Sequence, residues 1–174
     1  FDEYSSVVSL GSHSSEWTRR NFTGKTFSDT VYVSANPHTT LLANDTFHEI
    51  IEMWNEAETK PNEMDPAKMI QAAVEANEQY PNKRLIVHFM QPHGTGGLIE
   101  RQSSWEQTHR KTIAAMMEYV FDLHEQVGGK SVVTADHGQL FHGGLRAKLG
   151  LTGHRARLRI PERVYVPWTV IDGD

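Results

Sequence analysis

The chain has no cysteine. That excludes a disulfide framework, a thiolate-bound metal and a cysteine nucleophile within these residues. It has no long apolar run either, and nothing approaches the roughly 20 residues that a membrane-crossing helix needs. No charged-then-apolar leader is visible at the start. Basic residues are in deficit, 17 Lys and Arg against 22 Asp and Glu, for a formal net charge of -5. A protein that binds a phosphate backbone shows the opposite bias. There is no internal repeat and no low-complexity stretch. What is present is 38% hydrophobic and 22% charged residues over 174 positions, the composition and size of one globular domain. The expectation is a single soluble, cytoplasmic α/β domain over 1–174, with no nucleic-acid partner and no membrane span.

The most informative stretch is Lys130-Ser131-Val132-Val133-Thr134-Ala135-Asp136-His137-Gly138. Val132 and Val133 are β-branched, and glycines bound the run. The pattern predicts a short strand buried on both faces, inside a parallel sheet. Asp136 and His137 then emerge at its carboxyl end, where ligands sit in open α/β sheets. A carboxylate and a neutral imidazole are natural ligands for a divalent metal. An Asp in that place also caps turns, and the tripeptide alone leaves both uses open.

Other elements follow from spacing. Ser6 to Leu10 reads as a strand and Glu16 to Phe22 as a helix, with Ser14 as its cap and Gly24 as its end. Thr30 to Ser34 reads as a strand closed by Asn36-Pro37. Phe47, Ile50, Ile51 and Trp54 fall on one face of a short predicted helix. Asp65-Pro66 starts another helix, with Met69, Ile70, Ala73 and Val74 inward. Arg84 to Met90 is a second strong strand, leading to Gln91-Pro92-His93. Ser104 to Val127 is a long helix whose Met and aromatic stripe predicts core. Strand, helix and strand in that order predict a βαβ unit and a largely parallel sheet sandwiched by helices.

Several segments together resemble one family. "VVTADHG", the later "GH" at Gly153-His154, and "RVYVPW" are similar to the C-terminal part of sulfatase-like proteins of the alkaline phosphatase superfamily. "GSHSSEWTRRNF", "DTVYVSANP" and "PNKRLIVHFMQPH" agree with a prokaryotic branch of it. The resemblance runs along nearly the whole chain. It implies an alkaline phosphatase/sulfatase-like fold, incomplete at the N-terminus, because the family's first strand and its acidic metal ligand would precede Phe1.

The resemblance implies a metal-dependent hydrolase or transferase acting on sulfate or phosphate esters. The substrate would be a small-molecule or glycan- or lipid-linked ester. Asp136, His137 and His154 would hold a divalent ion: zinc, manganese or calcium. Ser12, in the small polar turn before a helix, matches the nucleophile position, with Ser14 as the alternative; serines there are also ordinary helix caps. His93 matches a substrate-side histidine that donates to the leaving oxygen, or is a turn residue after Pro92. "HGTGG" at His93 to Gly97 replaces a longer loop of the relatives, which puts that pocket wall in question. Without the upstream acid, the chain alone is expected to have weak or no activity. The alternative is a non-catalytic sulfatase-like domain with a binding or vestigial role. Histidines 88, 109 and 124 read as structural. Arg155, Arg157 and Arg159 read as a solvated basic face or an anion-attracting one.

Overall fold

A computed structural model describes residues 1–56, 64–92, 102–140 and 159–173. These residues build a mixed α/β protein in two compact units, each with a three-stranded sheet. The first unit holds residues 1–21, 95–110 and 129–174; the second holds 22–94 and 111–128.

The second unit is built on a parallel sheet in the order β3-β2-β4, from β2 (Phe27–Ser34), β3 (Phe47–Glu52) and β4 (Arg84–His88). β2 is central. Val31 and Val33 point to one face and Tyr32 to the other, and all three are buried. Val31, Val33 and Ala35 pack with Met53, Met64, Met69 and Ala76 under α3 (Pro66–Gln79). That helix starts as its sequence predicts: Asp65 caps it through Ala67 N, Pro66 follows, and Met69, Ile70 and Ala73 are buried. On the opposite face, Phe22, Phe27, Tyr32 and Phe47 form a ring cluster with centroids 5.0–5.9 Å apart. His88 stacks on Tyr32 and meets its hydroxyl through Nδ1 at 2.7 Å, a structural role.

The first unit is built on an antiparallel sheet in the order β1-β6-β5, from β1 (Glu3–Val8), β5 (Ser131–Thr134) and β6 (Tyr165–Ile171). It also holds most of α1 (Ser14–Phe22) and the short helix α5 (Pro161–Val164). Two further α-helices, α2 (Met53–Glu56) and the long α4 (Gln102–Val127), and a 3₁₀ turn at Pro37–Leu41 complete the described elements.

Three expectations are corrected. β5 was expected in a parallel sheet, buried on both faces; it pairs antiparallel with β6, and Val132 is 43% exposed. The β-branched pair signals a strand but says nothing about its neighbours. The double burial expected there belongs to β2. In consequence β4, α4 and β5 do not form a βαβ unit within one sheet. The second correction is at Phe47 to Glu52, expected helical and found as β3; only Met53–Glu56 is helix. Ile50 and Ile51 pair with Tyr32 and Val33, and Phe47 joins the ring cluster. A short apolar run fits both periods, and its tertiary partners decide. Third, the apolar stripe of α4 is only partly core: Met116 is buried, while Ile113 and Phe121 are exposed.

Candidate functional site

Asp136 and His137 follow β5 directly, and Gly138 turns the chain. Gly138 N donates to Arg163 O at 2.7 Å. A side chain at 138 would collide with the Glu162 carbonyl oxygen. The backbone therefore passes so close to α5 that only glycine fits. Asp136 Oδ1 accepts the amide of His137 at 2.9 Å, a local turn contact.

His137 is held by its ring. Nδ1 lies 2.8 Å from Gly138 O. A carbonyl can only accept, so Nδ1 carries a proton, and in the neutral ring Nε2 is the nitrogen with the lone pair. Nε2 sits 3.4 Å from Ser14 Oγ and 3.7 Å from Asp136 Oδ1. Metal-binding histidines are oriented in the same way, by a backbone acceptor on the other nitrogen.

The turn that carries the serines is fastened to this corner. Ser9 Oγ donates to the Asp136 carbonyl. The Arg159 guanidinium donates to Ser9 O at 2.8 Å and to Leu10 O. Gly11 backs onto Trp17 with no room for a Cβ. Ser12 then donates twice to Glu16 Oε2, through its amide at 2.9 Å and its hydroxyl at 2.8 Å. Burial alone would raise the Glu16 carboxyl; the two Ser12 bonds and nearby Arg20 overcome that and hold it below its usual range. His13 is pushed down, mainly by burial, with Glu16 opposing and His137 adding to the shift. Its Nδ1 is 3.0 Å from Ser15 Oγ.

The sequence-predicted residues divide as follows. Asp136 and His137 are brought together. Ser12 lies in the same unit, at the start of α1, but it is fully buried and its hydroxyl is committed to Glu16. Ser14 is the serine that faces His137. His93 and His154 lie outside the described residues. Sequence reasoning placed Glu16 only at the start of the predicted helix; the Ser-x-x-x-Glu spacing, one residue longer than a capping box, was the available signal. It also missed Ser9, and read Arg159 as part of a solvated or anion-attracting basic face.

Two ligands in a tetrahedral shell stand about 3.4 Å apart when each is about 2.1 Å from the ion. The 3.7 Å between His137 Nε2 and Asp136 Oδ1 is close to that. A carboxylate oxygen and a neutral imidazole nitrogen are a fitting partial set for zinc or manganese. Among the described residues, no group of three or more His, Asp or Glu is arranged to hold a metal ion. Also among them, no helix is long and apolar enough to cross a membrane. No protein-family model matches this chain, and none of the curated proteins does.

Proposed function

We propose that the Asp136–His137 corner belongs to a metal-dependent hydrolase or transferase of sulfate or phosphate esters, in an alkaline phosphatase/sulfatase-like fold. The observation that carries this reading is the orientation of His137. Its Nδ1 is spent on Gly138 O, and its Nε2 faces both a carboxylate oxygen and a serine hydroxyl. Asp136, His137 and His154 would hold the ion. When bound, such an ion neutralises an anionic ester and lowers the pKa of a hydroxyl. The chain's own part is to fix the ligands and to present a serine. Ser14 takes the nucleophile role better than Ser12, because Ser12 is sealed against Glu16. His93 remains assigned to the leaving oxygen.

One observation favours a non-catalytic domain. Asp136 already has local duties, accepting the His137 amide on its carboxylate and the Ser9 hydroxyl on its carbonyl. Such contacts would persist in a scaffold that has lost its chemistry.

The experiment is calorimetric titration of zinc, manganese and calcium, followed by turnover of aryl sulfates and aryl phosphates. His137→Ala should weaken metal binding by about tenfold or more. Ser14→Ala should keep metal binding and lose whatever weak turnover the wild type shows. Unchanged metal affinity in His137→Ala would overturn the reading. Absence of both binding and turnover in the wild type would leave the scaffold reading standing.

A further inference from the structure

A second polar site lies in the other unit, at the carboxyl edge of the parallel sheet. Two buried side-chain atoms there have no hydrogen-bond partner among the described residues: Nδ2 of Asn36 and Oε1 of Gln91. Asn36 is 1% exposed. Buried amide groups are nearly always paired, and an unpaired one carries its full desolvation penalty.

Neither amide is free to turn away. Asn36 Oδ1 accepts His38 N at 3.0 Å, and Asn36 N donates to Ser34 Oγ at 3.0 Å. The 3₁₀ turn at Pro37–Leu41 therefore fixes the direction of Nδ2. Gln91 Nε2 donates to Met64 O at 2.6 Å, which leaves Oε1 as a fixed acceptor. Both residues follow adjacent strand ends. Ser34 pairs with His88 in the ladder, and Ala35 N donates to His88 O at 3.0 Å. Beside them a chain of bonds runs from Trp54 Nε1 to Thr39 Oγ1, 3.0 Å, and on to Glu52 Oε1, 2.8 Å. In open parallel sheets this edge is where ligands bind.

The polarity of the two orphaned atoms selects the ligand. A carboxylate would satisfy only the donor, and an ammonium only the acceptor. A hydroxyl satisfies both. We propose that this edge binds a hydroxyl group, with Asn36 Nδ2 donating to its oxygen and Gln91 Oε1 accepting its proton. The hydroxyl belongs either to a polyol or sugar or to a fixed water. The inference stands on the second unit alone and does not depend on the Asp136–His137 reading.

The test is solution NMR of the side-chain amide protons of the whole chain. Asn36→Asp keeps an oxygen to cap His38 and puts an acceptor where the donor was, so the loss of its NH2 signals assigns the Asn36 amide. Gln91→Met removes the acceptor. The wild-type Asn36 amide should show a cross-peak to a long-lived water, or should shift saturably when glycerol or glucose is added. The first outcome identifies a fixed water as the source and the second a polyol. A polyol response of the Asn36 amide should weaken by about tenfold in Gln91→Met, the loss of roughly one hydrogen bond. A wild-type amide with neither a water contact nor a polyol response overturns the proposal, whether or not the variants fold.

Discussion

Ser12 gives its amide and its hydroxyl to the same oxygen, Oε2 of Glu16. Ser12, which the family resemblance matches to the nucleophile position, is thereby a clasp at the entry into α1. Arg20 pairs with the other carboxylate oxygen, Oε1, at 2.8 Å. The carboxylate is thus held between the chain before the helix and the turn within it.

Ser12→Ala should destabilise the protein by about 1–2 kcal/mol, since it removes a buried hydrogen bond to a charged acceptor. The acid limb supplies a second readout. Glu16 is held below its ordinary value of 4.5 in the fold. Its contribution is therefore complete above pH 4.5 and is lost as the pH falls through the folded value. Thermal melts below pH 4.5 should show a steeper loss for the wild type than for Glu16→Gln. Parallel curves would show that the carboxylate's charge plays no part in the clasp.

Two histidines shape the next window. Burial lowers His13 and His109 from the ordinary 6.5. The unfolded chain then binds protons that the fold resists, so stability is complete above pH 6.5 and declines as the pH falls below it. The double variant His13→Gln/His109→Gln should flatten the melting temperature between pH 6.5 and the carboxylate range. Retention of the wild-type slope would place the titrating groups elsewhere.

Gly138→Ala should be among the most disruptive single-methyl changes in the chain. The added Cβ meets the Glu162 carbonyl oxygen, a backbone atom with no rotamer to escape into. Overpacking of this kind costs about 1–3 kcal/mol. The shift also moves the acceptor of His137 Nδ1. Denaturant midpoints measure the first effect. Nitrogen-15 shifts of the His137 ring measure the second, through loss of a single Nδ1–H tautomer.

Thr39→Val tests the bond chain at the end of β3. Thr39 is buried, and its hydroxyl serves both Trp54 Nε1 and Glu52 Oε1. The isosteric change strands a donor and an acceptor at once, at a cost of about 1–3 kcal/mol. Trp54 fluorescence should shift as its N–H loses a partner. An unchanged midpoint would mean that water replaces the hydroxyl at no cost.

Local chemistry was legible where one short segment settles its own geometry. Asp65-Pro66 announced α3, Thr30 to Ser34 announced β2, and Gly24, with φ 71°, ended α1 as expected. Asp136 and His137 stood out because two side chains able to ligate a metal directly follow a strand, and the structure sets them 3.7 Å apart. What stayed hidden depends on partners distant in sequence. Val132 cannot reveal that its neighbour is β6, running the other way. Phe47 to Trp54 fits a helical period as well as a strand, until Tyr32 and Val33 supply a ladder. Ser12 and Ser14 are equivalent by composition; only the reach of Glu16 and the position of His137 separate them.

β1 pairs with β6 along its whole length, from Glu3 opposite Val170 to Val8 opposite Tyr165. The partners are far apart in sequence, so their pairing closes a long loop and belongs to the slow class of folding events. The parallel sheet needs nothing beyond His88. As the chain leaves the ribosome, residues 27–88 therefore have their sheet partners before β6 has been synthesised. Until then β1 lacks the strand it pairs with in the folded sheet. Protection from hydrogen exchange in a pulse-labelled refolding experiment should reach Val31 to Val33 well before it reaches Glu3 to Val8.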